Sequence, residues 1–170
     1  MARIEVVSHP DCLVHQPPLG HPDRPERVSR VLSALEREAR GRWRVDRERS
    51  PPTQEDVIGA LGWIHDRDYV ERFSQAAAQA PTTLDSPDCP VSRGTFKAAV
   101  AASGLCLRAA LEVANRRVER IFVVARPAGH HALRDRAKGF CYLNNVAFAA
   151  ETVAQAWATP VLIVDFDVHH

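Results

Sequence analysis

One stretch of this sequence concentrates side chains that could bind a metal ion. The letters DFDVHH occupy positions 165–170, directly after the apolar run of residues 161–164. In an extended strand alternate side chains point to the same side, so Asp165, Asp167 and His169 would share one face. Carboxylate oxygens and imidazole nitrogens are ligands that divalent metals use, zinc above all. The pattern predicts a metal site at the end of a buried strand spanning residues 161–168.

A second group of titratable residues follows another apolar run. Residues 121–125 read IFVVA, and the letters RPAGHH follow at positions 126–131. In parallel α/β sheets the carboxyl ends of the strands carry the ligand-binding loops. His130 and His131 could therefore lie beside a metal-bound water, where one imidazole takes a proton and the other protonates a leaving group. Together the two strand ends predict a metal hydrolase.

The elements that must position these residues alternate between helix and strand. Besides the two runs above, the patterns predict a strand over residues 4–8, an extended piece over 63–65 and a loop over 80–92. Helices are expected over residues 26–40, 95–115 and 143–157, after the capping residue Asp66, and as a short helix from Thr53. The alternation predicts an α/β fold, a parallel sheet covered by helices on both faces.

Composition narrows the class of protein. The 170 residues are 45% hydrophobic, enough for one compact domain, and 22 basic against 21 acidic residues give a formal charge of +1. We therefore expect no nucleic-acid partner and, without an apolar run long enough to span a bilayer, no membrane partner. The four cysteines form no C-x-x-C pair, which favours reduced thiols and a cytoplasmic location.

Four ordered motifs carry a resemblance to a known family. They are GHPDRPER at 20–27, RPAGHH at 126–131, GFCYLNN at 139–145 and VDFDVHH at 164–170. Together they resemble the zinc-dependent histone deacetylase family, which includes acetoin-utilisation proteins and acetylpolyamine amidohydrolases. The proline-glycine-His-His form and the pair Val91-Ser92 are closer to its class II branch. The resemblance implies an arginase/deacetylase-like fold, with residues 1–170 as the N-terminal part of a single, truncated deacetylase domain.

The resemblance also implies roles for the residues of the two strand ends. Asp167 and His169 match two zinc ligands, and His130 and His131 match the tandem histidines that act as base and acid beside the zinc-bound water. Asp165 matches a carboxylate that orients the first histidine and borders a structural potassium site. The implied reaction is hydrolysis of an acetyl amide, on an acetylated protein or an acetylated small amine, to the free amine and acetate.

Four further residues match substrate-handling positions of the family. Gly139 and Phe140 match the wall of the tunnel that grips the acyl-lysine stem, Asp88 matches a carboxylate at the rim, and Arg27 matches an arginine of an internal channel. Plainer readings stay open: Gly139 as a turn, Phe140 as core, and Asp88 and Arg27 as solvated surface charges. Oligomeric state is not predictable from these residues.

The sequence departs from the family pattern at two functional positions, and this affects the activity expected of the chain. The third zinc ligand, an aspartate, and the transition-state tyrosine have no counterpart here, since Tyr69 and Tyr142 lie in other motifs. We therefore expect the chain alone to be inactive and prone to aggregation. Two alternatives remain: a non-catalytic truncated product or partner-binding fragment, and an arginase-like binuclear metal hydrolase. The second needs more carboxylates near His130 than Gly129 and Ala132 supply.

Overall fold

The computed structural model describes residues 4–169, so His170, the last letter of the DFDVHH motif, lies outside the described residues. Two short 3-10 helices cover Pro10–Leu13 and Leu61–Trp63. Among the described residues the strands are β1 (Ile4–Val7), β2 (Trp43–Asp46), β3 (Thr82–Leu84), β4 (Ser86–Val91) and β5 (Arg120–Val123). The α-helices of this part of the chain are α1 (Glu26–Glu38), α2 (Gln54–Ala60), α3 (Arg67–Ala78), α4 (Thr95–Ala114) and α5 (Asn145–Trp157). No helix between residues 4 and 169 combines the length and the apolar composition that crossing a membrane requires.

The central sheet is parallel and is covered by helices on both faces. Its strand order is β2-β1-β5, with β1 in the middle. Successive side chains of a strand point to opposite faces, and Val6 and Val7 of β1 follow this rule. Val6 belongs to a core cluster with Val28 and Leu32 of α1, whereas Val7 belongs to one with Leu105 of α4. The predicted α/β architecture is confirmed.

The strand predicted over residues 161–168 is wrong for the described structure. This segment forms no strand, and Leu162, Phe166 and Val168 are 87%, 96% and 90% exposed. A strand is stabilised by a hydrogen-bonded neighbour and by covered faces. Within residues 4–169, β5 pairs with β1 alone and no strand is hydrogen-bonded to this segment. The segment has the apolar composition of a buried strand, but in this structure it lacks the neighbouring strand and the covered faces that a buried strand has.

Two local predictions are also wrong, and one strand was missed. Residues 80–92, predicted as a loop, form the antiparallel hairpin of β3 and β4. The prolines of this segment favoured the prediction of a loop, because proline has no backbone N–H and is tolerated in a strand only where no inter-strand hydrogen bond needs that donor. The extended piece predicted over 63–65 is instead the end of a 3-10 helix and a turn. The missed strand, β2, is only four residues long and its side chains are mostly half-buried.

Candidate active site

The loop that carries the paired histidines begins at a buried arginine. Arg126 follows β5 and is 2% exposed. Its Nε donates to Oδ1 of Asp23 at 2.8 Å, and its Nη2 donates to the carbonyl oxygen of Asp23 at 2.9 Å. Its Nη1 donates to the carbonyl oxygen of His15 at 2.8 Å. These bonds fix the direction of the chain as it leaves the sheet, because a bidentate guanidinium holds its partners in one geometry.

The structure brings together the residues of the two predicted strand ends. His130 and His131 lie side by side, with ring centroids 4.0 Å apart and planes inclined by 39°. Nδ1 of His130 lies 2.8 Å from Oδ2 of Asp165. The His130 side chain is 26% exposed and that of Asp165 is 53% exposed. The first histidine of the pair therefore contacts the segment that carries the predicted metal ligands.

Local hydrogen bonds shape the segment of residues 165–169. Oδ1 of Asp165 accepts from the backbone N–H of Asp167 at 3.0 Å, and Oδ1 of Asp167 accepts from the backbone N–H of His169 at 2.8 Å. Such bonds to a residue two positions on are typical of aspartate in turns. Nδ1 of His169 lies 2.8 Å from the same Oδ1 of Asp167. The two predicted metal ligands are thus neighbours in space.

The carboxylates of this segment are held in the ionised form. The backbone N–H of Asp167, followed by the His130 side chain, lowers the pKa of Asp165. The backbone N–H and then the side chain of His169 lower the pKa of Asp167. Burial, followed by the charges of His130 and Lys138, lowers the pKa of His131, and Asp167 opposes this shift. At neutral pH the carboxylates of this segment are therefore ionised, and the ring of His131 is neutral.

Asp167 and His169 have the chemistry and the proximity of two ligands to one zinc ion. Zinc binds oxygen and nitrogen at about 2.0 to 2.2 Å, which places neighbouring tetrahedral donors about 3.3 Å apart. The 2.8 Å between Asp167 Oδ1 and His169 Nδ1 is a hydrogen bond, so the two donors are adjacent but would have to move apart by about 0.5 Å to bind one ion. Among residues 4–169 no group of three His, Cys, Asp or Glu side chains converges on one metal position. By their chemistry and proximity, these two side chains alone fit part of a zinc ligand set.

Gly139 and Phe140 lie directly against histidines. Gly139 has φ of +55°, and a Cβ there would lie 2.5 Å from Cδ2 of His131. Phe140 also has positive φ, and its ring meets that of His21 edge to face at 4.7 Å. The backbone of Gly139 thus forms a wall against one of the paired imidazoles, which requires a residue without a side chain.

The hairpin of β3 and β4 holds the backbone around Gly139 through hydrogen bonds to two of its carboxylates. Oδ2 of Asp88 accepts the backbone N–H of Gly139 at 3.1 Å, and Oδ2 of Asp85 accepts that of Ala137 at 2.8 Å. Hydrogen bonds from Ser86 and, after the opposing effect of burial, from Gly139 lower the pKa of Asp88. Oδ1 of Asp88 is buried without a partner among the described residues. The predicted rim carboxylate, on β4, is therefore hydrogen-bonded to the loop that contains Gly139.

Two other predictions concern residues that stand apart from the paired histidines. Arg27 lies on α1 with its side chain 66% exposed, and its nearest carboxylate oxygen, Oδ1 of Asp23, is 3.7 Å away. The hydroxyls of Tyr69 and Tyr142 are buried and donate to the backbone carbonyls of Tyr142 and Pro90. Burial raises the pKa of both tyrosines. Both hydroxyls are therefore buried in the core and hydrogen-bonded to the backbone.

A cavity of about 710 Å³ lies beside this site. It is lined by the end of β5 and the following residues 127–130, by residues 144–147 at the start of α5, and by residues 163–168. His130 and Asp165 border it directly. The size is in the range of pockets that bind small molecules.

Sequence reasoning missed several residues that hold this site. The sequence predicted no role for four residues that form hydrogen bonds in or next to the loop of the paired histidines. They are Arg126, His65, Asn144 and Asn145. Asn144 could have been recognised as a helix cap, because asparagine before an apolar helical pattern is a start signal. The partners of Arg126 and His65 are 69 to 111 residues away, and no local pattern reveals them.

Comparison with known proteins identifies the family. The family described as "Histone deacetylase domain" matches residues 21–170. This chain belongs to that family. The crystal structure of the HDA15 HD domain superposes with a TM-score of 0.76 at 28% identity, covering 92% of this chain and 44% of that one. The predicted arginase/deacetylase-like fold is thereby confirmed.

Several of the curated relatives that this chain matches carry deacetylase names. A "Probable deacetylase" of Archaeoglobus fulgidus is 32% identical over 97% of this chain and 45% of its own length. A "Histone deacetylase-like amidohydrolase" of Pseudomonas aeruginosa is 32% identical over 91% of this chain and 40% of its own length. The chain thus spans about half or less of the length of the curated relatives that it matches.

Proposed function

We propose that this chain supplies the paired histidines and two metal ligands of a zinc-dependent deacetylase, which hydrolyses an acetyl amide to a free amine and acetate. One observation carries the proposal: the contact between His130 and Asp165, which brings the histidine loop to the segment of Asp167 and His169. Family membership supports deacetylase chemistry in general.

The contact with Asp165 determines which nitrogen of His130 is free to act as a base. An ionised carboxylate can only accept a hydrogen bond, so Nδ1 of His130 carries the proton that faces Oδ2 of Asp165. The Nε2 atom then has an available lone pair. In the proposed reaction Nε2 of His130 takes a proton from the attacking water, and Asp165 stabilises the resulting imidazolium.

His131 is suited to deliver a proton to the leaving amine. Its lowered pKa means that the ring is neutral at neutral pH, so it must first receive the proton that His130 takes from the water; because the charged ring is destabilised here, that proton then passes readily to the leaving amine. The ring is held by Gly139 on one side and by His130 on the other. Residues 139 and 140 would also confine the acyl-amine stem that leads to the site.

Asp167 and His169 would hold the zinc ion. When bound, zinc supplies polarisation of the acetyl carbonyl and a lowered pKa for the attacking water. Nδ1 of His169 faces the Asp167 carboxylate and therefore carries a proton in the metal-free chain. Metal binding at that nitrogen requires the ring to give up its hydrogen bond to Asp167 and to carry its proton on Nε2 instead. A potassium ion beside Asp165 stays a prediction.

The substrate is an acetylated amine, on a protein or on a small molecule. Relatives of this chain are named for both kinds: "Histone deacetylase 15" of Arabidopsis thaliana, and "Acetylpolyamine amidohydrolase" of Burkholderia pseudomallei. A third relative is the "Polyamine deacetylase HDAC10" of Rattus norvegicus. The acetyl group is the shared chemistry, and the site described above would act on it in either substrate.

An acetate-release assay tests the proposal. The chain is assayed with an acetyl-lysine peptide and an acetylated polyamine, alone and joined to the C-terminal half of the Pseudomonas aeruginosa amidohydrolase, with and without zinc. We expect no release by the chain alone, and zinc-dependent release by the joined protein. Asp165→Ala should reduce that release about 10- to 100-fold, as removal of groups that orient reacting side chains does. Release that is independent of zinc, or that survives His130→Ala unchanged, would contradict the proposal.

A partner-binding role is the second candidate, favoured by the exposed apolar side chains of residues 161–168. Contiguous exposed apolar surface marks association or aggregation sites. Binding of an acetylated peptide by the chain without any acetate release from the joined protein would favour this role.

The binuclear alternative would show two metal ions per chain by metal analysis. A cytoplasmic location stays a prediction from the cysteines.

A further inference from the structure

Two asparagines hold the loop of the paired histidines from both ends. Nδ2 of Asn145 donates a hydrogen bond to the carbonyl oxygen of Pro127, before the pair, at 3.4 Å. Nδ2 of Asn144 donates to the carbonyl oxygen of Ala132, directly after the pair, at 3.3 Å. Because an amide side chain has two donors and an acceptor, it can link two backbone segments at once.

The loop lies directly on these asparagines. A Cβ at Gly129 would lie 2.5 Å from the carbonyl oxygen of Leu143 and would also overlap Oδ1 of Asn145. Asn145 is 7% exposed, so this contact lies inside the protein. A movement of the residues at the start of α5 must therefore be transmitted to the residues immediately before His130.

A buried histidine fixes Asn144 in turn. Nε2 of His65 accepts the backbone N–H of Asn144 at 2.9 Å, and Nδ1 of His65 lies 3.3 Å from the carbonyl oxygen of Arg134. A backbone N–H can only donate and a carbonyl can only accept. The neutral ring with its proton on Nδ1 is the one form that satisfies both bonds. His65 is 1% exposed, and burial lowers its pKa, which keeps it in this form.

We infer that Asn144, oriented by His65, is a positioning residue for His130 and His131. The inference rests on the proposed function, in which these two rings move the protons of the reaction. A small displacement of a reacting group is enough to reduce a rate markedly. Loss of the Asn144 amide should therefore misplace the histidines while the rest of the fold stays intact.

The second role of Asn144 makes the inference testable. Its Oδ1 accepts the backbone N–H of Ala147 at 3.0 Å and caps α5. Asn144→Ser keeps an effective capping oxygen but lacks the amide donor that holds Ala132. Asn144→Ala removes both functions. Asn115→Ser is the matched control, because the Asn115 side chain donates to Leu111 within its own helix α4 and is exposed.

The first measurement is the NMR spectrum of the histidine rings in the chain itself. We expect Asn144→Ser to shift the ring signals of His130 and His131 and to leave the urea midpoint of unfolding unchanged. Asn144→Ala should shift the signals and lower the midpoint, and Asn115→Ser should do neither. His65→Gln, which offers an amide oxygen to the Asn144 N–H, should shift the signals less than His65→Leu. Ring signals of Asn144→Ser at wild-type positions would overturn the inference.

The second measurement uses the joined protein of the acetate-release assay. Asn144→Ser should lower kcat about 10-fold with KM unchanged, because the substrate contacts remain while the proton-transferring rings are displaced. A raised KM with unchanged kcat would contradict a positioning role. If the unsubstituted joined protein releases no acetate, the proposed function fails, and the ring signals alone decide whether Asn144 positions the histidines.

Discussion

Gly139 lies so close to the ring of His131 that a Cβ on the glycine would stand 2.5 Å from Cδ2 of the imidazole. The glycine also has φ of +55°, a backbone conformation that residues with side chains rarely adopt. The wall of the proposed acyl tunnel and the ring of His131, proposed to transfer a proton, are thus a single packed unit. The hairpin carboxylate of Asp88 holds that unit through the N–H of Gly139.

Gly139→Ala should destabilise the chain and displace His131. Left-handed backbone and overpacking against the ring together should lower the free energy of unfolding by about 2 to 4 kcal/mol. Gly59 is the matched control, since it lies inside α2 with no atom within 4 Å of its added Cβ. Gly59→Ala should stabilise by about 0.5 to 1 kcal/mol. Urea unfolding measures both, and equal effects of the two substitutions would contradict the packing described here.

Arg126→Leu should be strongly destabilising. Arg126 and Asp23 are both nearly fully buried, and the substitution would leave the Asp23 carboxylate without its hydrogen-bonded cation, since the other cation near it, the largely exposed Arg27, is 3.7 Å away. Breaking a buried ion pair in this way costs about 3 to 5 kcal/mol. The control is Arg67→Leu, which breaks an exposed pair with Glu71 four residues on and should cost less than about 1 kcal/mol. A loss below about 1 kcal/mol in Arg126→Leu, measured by urea unfolding, would refute the prediction.

His15 should make the protein less stable in mild acid. Burial, followed by the charge of Arg126, lowers the pKa of this ring from 6.5 to about 3. Between these two values the unfolded chain binds a proton that the folded chain does not. The free energy of unfolding should therefore fall as the pH drops through this range, by up to about 1.4 kcal/mol per pH unit from this group.

His15→Gln tests the origin of this pH dependence. The amide can still form a hydrogen bond with Thr95, the 2.8 Å partner of His15 Nδ1, but does not titrate. Urea unfolding between pH 7 and pH 4 should show a shallower loss of stability for the variant than for the wild-type chain. Parallel curves for the two proteins would rule out His15 as the cause.

The apolar segment of residues 161–168 should cause self-association. Leu162 and Val168 are 87% and 90% exposed, so Leu162→Lys with Val168→Lys removes apolar surface without breaking core contacts. Light scattering against concentration should show aggregation starting at a higher concentration in this double variant. Leu19→Lys, at an isolated exposed position in another loop, is the control and should change little. An onset unchanged in the double variant would mean that the segment does not drive association.

Much of the candidate site follows from the sequence because its residues come directly after two apolar runs. The contact of His130 with Asp165 joins the segments that follow these runs, although only the first run contains a strand, β5, in the structure. Whether residues 161–168 form a strand depends instead on the strands beside them, and an apolar sequence pattern does not show whether such neighbours are present. The hairpin at Asp85 and Asp88 was hidden by prolines, and its carboxylates bind backbone 51 and 52 residues away. The support from His65 and Asn144 likewise depends on tertiary contacts that no local pattern encodes.

Asp167 and His169 are proposed to hold a metal ion beside the rings of His130 and His131. Paramagnetic NMR with Co²⁺ added to the 170-residue chain tests this proposal directly. We expect the ring signals of His130, His131 and His169 to shift and broaden before those of His9, His15 and His65. The effect on His130 and His131 should disappear when Asp167 and His169 are both replaced by alanine. Broadening spread equally over all histidines, or unchanged in that double variant, would contradict the account.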